Sequence, residues 1–138
     1  MAAALRPGGH LVLEDFDIDL QPLACPHLTG PEQERCNRIR AGFLDLLVQR
    51  GVDRRYGRTL PTALRALGLQ DVRGDAHFPV AHPAAAALDA ANVLQVREAL
   101  VAQGHASEEE IEEHLAALAE SRLDMCLPPL VSVWGRAR

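Results

Sequence analysis

The tripeptide Pro7-Gly8-Gly9 followed at once by His10-Leu11-Val12-Leu13 constrains this chain more than any other stretch. Proline presets φ at the second position of a tight turn and glycine accepts the positive φ required at the third, so the chain must reverse here. The apolar run after it is too short for a helix. It has the pattern of a buried strand, covered on both faces as parallel strands are, and Glu14-Asp15-Phe16-Asp17 closes it in polar groups.

Around this turn the punctuation continues. Residues 1–5 are Ala-rich and under two turns long, so they read as the last turn of a longer helix, stopped at Arg6 because a residue before proline is pushed out of the α region. Residues 29–51 form a helix, with Thr29 and Glu32 as a capping box, Pro31 in the first turn and Gly51 beyond the end. Its apolar face carries Cys36, Ile39, Phe43, Leu46 and Leu47, and the face with Arg35, Arg38 and Gln49 is expected in solvent. A second helix spans about 59–67, stopped by Gly68. Residues 71–80 alternate, with Val72, Ala76, Phe78 and Val80 on one side, as in an edge strand. Residues 83–103 and 107–122 form a helical pair broken at Gly104, the latter opened by the capping box Ser107 and Glu110. Residues 130–134, after Pro128-Pro129, form the last strand. The order is β-α-α-β-α-α-β, an α/β class.

Composition sets limits on function. With 138 residues, 48% hydrophobic and 24% charged, the chain has the make-up of a folded globular domain. Its net charge is -5, and the densest charge run, Glu108 to Glu113, is acidic, which argues against nucleic-acid binding. That run lies in the first turns of a helix, where negative charge complements the helix dipole. No stretch approaches the roughly 18 apolar residues of a membrane span, and no signal sequence opens the chain, so a cytoplasmic location is expected. Cys25, Cys36 and Cys126 are odd in number and widely spaced, as buried thiols rather than a disulfide frame. No metal site is expected, because Cys25-Pro26-His27 and the pair His77 and His82 lack the partners of a tetrahedral set.

The segment Leu5-Arg6-Pro7-Gly8-Gly9-His10-Leu11-Val12-Leu13-Glu14-Asp15 resembles the segment that leads into strand five of class I S-adenosylmethionine-dependent methyltransferases. Tyr56-Gly57-Arg58, the helix through Leu60-Pro61 to Gly68-Leu69, and the late strand ending in Gly135-Arg136 look like the family's approach to strand six and its strand seven. The resemblance implies the C-terminal half of a Rossmann-like sheet, strands five, seven and six, with strand seven antiparallel between the other two. Residues 1–138 would then be one partial domain, with a helical pair at 84–123 inserted between the last two strands.

It further implies what is missing. The family holds S-adenosylmethionine with a glycine-rich loop after strand one and an acidic residue ending strand two, and no G-x-G-x-G occurs in these residues. The cofactor would belong to the complete enzyme, and none is expected to bind this chain tightly. Ligands in open α/β sheets lie beyond the carboxyl ends of the strands, so Glu14, Asp15, Phe16 and Asp17 are substrate-side candidates, with Tyr56, in a loop between helices, as a weaker one. Two functions follow: a C-terminal part of a small-molecule methyltransferase, inactive alone, or a non-enzymatic half-domain that completes its open sheet edge with a second copy or an N-terminal half.

Overall fold

The computed structural model describes residues 4–27 and 30–138. Most of the expected helix end at residues 1–5, and the Thr29 cap, lie outside the described residues. The elements are β1 (His10–Phe16), α1 (Pro31–Gln49), α2 (Tyr56–Ala66), β2 (Gln70–His77), α3 (Pro83–Ala102), α4 (Glu108–Ala119) and β3 (Leu130–Arg136), with one turn of 3-10 helix at Ile18–Leu20. They divide between two compact units. The first comprises Met1–Leu20, Asp53–Phe78 and Pro128–Arg138, and the second Gln21–Val52 and Pro79–Leu127.

The first unit is a three-stranded sheet in the order β1-β3-β2, with β3 central and antiparallel to both neighbours. This is the order and direction expected above. Gly8 takes φ +76 in the turn before β1, where its backbone N–H donates to Ala137 O at 3.1 Å, tying the turn to the last strand. β1 is not covered on both faces. Leu11 and Leu13 point with Val133 toward α2, whose Leu60 and Leu64 complete the core, while Val12 and Glu14 stand on the opposite face beside Trp134 and Ser132. A four-residue apolar run has no polar break to reveal its alternation, so a one-sided strand and a two-sided one read alike.

β2 is an edge strand, as the alternation suggested, but it ends at His77. Phe78 and Pro79 follow it without joining the ladder, and Val80 makes only an isolated bridge to Cys126 within the second unit. Near its start Asp71 sits at φ 53 and the pairing register shifts between Gln70 and Arg73. Gly68, at φ +80, stops the preceding helix in the left-handed conformation its position required. That helix begins at Tyr56, three residues before the expected start, so Tyr56 is the first residue of α2 and not part of a loop.

The second unit packs α1 against α3 and α4. Its core is two apolar clusters, one around Cys36, Ala85 and Met125, the other around Ile39, Val93, Leu100 and Ile111. α4 opens with the expected capping box: Ser107 Oγ accepts from Glu110 N at 3.1 Å and Glu110 Oε2 accepts from Ser107 N at 2.9 Å. His82 caps α3, its Nδ1 accepting from Ala84 N at 3.1 Å. On the polar face of α1, Arg38 and Gln49 are exposed as expected and Arg35 is half-buried, and all three have side-chain partners. Arg35 pairs with Glu113 at 2.5 Å, Arg38 with Glu110, and Gln49 exchanges hydrogen bonds with Gln103. The acidic run of α4 is thus largely absorbed in ion pairs, Arg97 taking Glu108 and Glu112.

Candidate functional site

The carboxyl end of β1 and the first turn of α2 form a charged corner in the first unit. Two complementary runs build it: Asp15-Phe16-Asp17-Ile18-Asp19 leaving the strand, and Asp53-Arg54-Arg55-Tyr56-Gly57-Arg58 entering the helix. The backbone ties them first. Asp17 N donates to Pro129 O at 3.0 Å, and Ile18 N donates to Arg54 O at 2.8 Å. Gly57 allows the close approach, since a Cβ there would stand 2.9 Å from both Asp15 O and Phe16 O.

Charge then locks the corner. Asp17 is 0% exposed, and the Arg58 guanidinium holds it through two hydrogen bonds, Nε to Oδ2 at 2.5 Å and Nη2 to Oδ1 at 2.6 Å. These bonds hold the Asp17 carboxyl below its ordinary range against the opposing effect of burial. The carboxylate raises the Arg58 pKa in return. Asp19 takes Arg54 at 2.8 Å and Arg55 at 3.2 Å. A bidentate carboxylate kept ionised in this way is a clamp, and a poor proton acceptor.

The other candidates are freer. Glu14 is exposed and accepts a hydrogen bond from Ser132 Oγ at 2.5 Å on the face of the sheet away from α2. Asp15 is exposed and accepts from the Phe16 N–H at 2.7 Å, and Phe16 is half-buried. Tyr56 is 47% exposed, its carbonyl accepting from Thr59 Oγ1 at 2.7 Å. Asp15, Phe16 and Asp17 therefore meet the Tyr56-Gly57-Arg58 turn at one corner, while Glu14 points to the sheet face. Arg54, Arg55 and Asp19 were not singled out from sequence, and Arg58 only within the Tyr56-Gly57-Arg58 likeness. The signal was the charge complementarity of D-F-D-I-D and R-R-Y-G-R, 41 residues apart at the Asp17–Arg58 pair.

A shallow hollow of about 280 Å³ lies elsewhere in this unit, between α2 and the β2 side of the sheet, walled by Pro61, Arg65, Arg73 and Val131 among others. None of the five sequence candidates lines it.

No protein-family model matches the sequence. No curated protein matches it. Among solved structures, phosphoethanolamine N-methyltransferase 2 of Haemonchus contortus, in complex with phosphomonomethylethanolamine and S-adenosylhomocysteine, is similar over 99% of this chain at 14% identity, with a TM-score of 0.43. The chain resembles part of a methyltransferase. It spans 28% of that chain's length, and the two ligands are those of the Haemonchus protein. Among the described residues no helix is long and apolar enough to cross a membrane.

Proposed function

We propose that these residues are the C-terminal part of a class I S-adenosylmethionine-dependent methyltransferase domain acting on a small molecule. The observation that carries the reading is the sheet: β1, β3 and β2 lie side by side with the chain-terminal strand central and antiparallel, the arrangement of strands five, seven and six in that family. The Leu5-Arg6-Pro7-Gly8-Gly9 approach to β1 supports it from the sequence. Cofactor binding would rest on a glycine-rich loop not encoded in these residues. The substrate side would be the corner of Asp15, Phe16 and Tyr56, rigidified by the Asp17–Arg58 clamp, with Glu14 on the adjoining face.

Isothermal calorimetry with S-adenosylmethionine on the 138-residue polypeptide is expected to give no measurable heat. Stoichiometric micromolar binding would overturn the proposal that the cofactor site lies on other residues. The coding sequence upstream of Met1 supplies the complementary check: a glycine-rich loop following a strand pattern is expected there, in frame, and its absence would favour the half-domain that pairs with a second copy or a separate N-terminal half.

One observation favours a second reading, a self-associating half-domain. β1 is an edge strand, and Val12 on its outward side is 57% exposed. Unpaired edges flanked by exposed apolar side chains are templates for further pairing. Light scattering at micromolar concentration is expected to show an oligomer that V12K reduces to monomer, and a wild-type monomer would refute this.

A further inference from the structure

In the second unit, three helices each send one metal-competent side chain to the same buried point. Cys36 of α1, Asp89 of α3 and His114 of α4 are all buried, and their ligand atoms lie within 4.8 Å of one another. Cys25, in the loop before α1, is buried in the same apolar cluster as Cys36 and stands beside that group of three without being part of it. Asn37 holds Cys25 in place from both sides, its Oδ1 accepting from Cys25 N at 2.8 Å and its Nδ2 donating to Cys25 O at 2.7 Å. We propose that Cys36, Asp89 and His114 form a structural site for a zinc-class divalent cation, which draws in the adjacent Cys25 as its fourth ligand.

Four arguments converge on this. The donor set, two sulfurs, one imidazole nitrogen and one carboxylate oxygen, is of the kind that closes a tetrahedral zinc site. Ligand atoms around zinc sit about 3.3–3.8 Å apart, so the group of three, all within 4.8 Å of one another, needs adjustments of at most roughly 1 Å, with Cys25 closing in from its side. Charge also closes: Arg40, itself buried, lies 3.8 Å from Asp89, and two thiolates and a carboxylate are balanced by one dication plus this guanidinium. The two thiol protons leave to water as the metal enters.

The fourth argument is His114. It is 1% exposed, its Nε2 lies 2.8 Å from Asp89 Oδ2, and its Nδ1 is buried with no hydrogen-bond partner among the described residues. The two ring nitrogens point apart, so Nε2, the one that faces Asp89, is the one that can meet the same ion as the carboxylate. On binding, the Nε2–Asp89 hydrogen bond gives way and both atoms turn to the cation. None of this was visible in the C-x-x-C and H-x-x-x-H spacings, because the ligands come from four separate segments.

The test uses the full chain, reduced and stripped of metal, titrated with Co²⁺. One equivalent of cobalt is expected to develop a thiolate-to-metal charge-transfer band and the visible bands of tetrahedral cobalt, which zinc then abolishes. Cys36→Ala and Cys25→Ala keep an uncharged small side chain in place. Each is expected to retain the helical circular-dichroism signal and to lose at least about 100-fold in zinc affinity, with Asn37→Ala losing about tenfold through misplacement of Cys25. Three results would each overturn the proposal: a folded wild-type chain without the thiolate band, bands unchanged in both cysteine variants, or an apo chain of low helicity that gains none with zinc.

Discussion

Replacing Gly57 with alanine adds a single methyl group at the point where α2 touches the end of β1. That methyl would stand 2.9 Å from both Asp15 O and Phe16 O, two backbone atoms with no rotamer by which to yield. Restoring an ordinary contact of about 3.4 Å requires α2 to retreat by roughly 0.5 Å. Such overpacking costs about 1–3 kcal/mol. The exchange of glycine for alanine in a helix returns at most about 1 kcal/mol, and less in a first turn. The net effect is a destabilisation of about 1 kcal/mol, which for a chain of 138 residues lowers Tm by about 3–5 °C. Trp134, the only tryptophan, lies on β3 in the same unit, so its fluorescence reports this unfolding. Thr62→Ala, at an exposed position of α2, serves as the control for helix propensity and is expected to raise Tm slightly. If Gly57→Ala melts at or above the wild type, the close approach of α2 to β1 is wrong, and with it the geometry of the charged corner.

Asp17→Asn is expected to destabilise the first unit in a pH-dependent way. The carboxyl is held below its ordinary value in the folded state, so its contribution is complete above the unfolded value of about 3.9 and fades as pH falls through the folded one. The gap between wild type and variant, read by Trp134 in urea, should be constant from pH 7 to 5 and close on further acidification, and a gap that widens in acid would contradict the clamp. Leu64→Ala, at a position 0% exposed in the core under α2, should cost about 2–5 kcal/mol in the same assay. In the second unit, Ser107→Ala removes half of the capping box and should cost about 1 kcal/mol by thermal circular dichroism.

Helix ends in this chain were legible because their signals are local. Ser107 with Glu110 opens α4 as its spacing dictates, and Pro83 and Gly68 stand where their restricted or permissive backbones require. The candidate site was legible only in part. Asp15, Phe16 and Tyr56 do meet at one corner, yet the buried role of Asp17 depends on Arg58, and no local rule connects residues 41 apart. The same holds for His114 and Asp89, polar residues set in the apolar faces of two helices, where an amphipathic pattern marks only an exception and not its partner.

Strand and helix identity, the turn before β1 and the acidic dipole of α4 follow from the sequence alone, because each depends on backbone preferences and side-chain periods within a few residues. Tertiary structure alone decided the rest. Whether the apolar run of β1 is covered on one face or two depends on which elements pack against it. Whether Arg35 meets solvent or α4, and whether Cys36, Asp89 and His114 meet at all, depends equally on where distant segments come to lie. Such contacts are long-range choices among many similar local patterns, and only the packed chain selects between them.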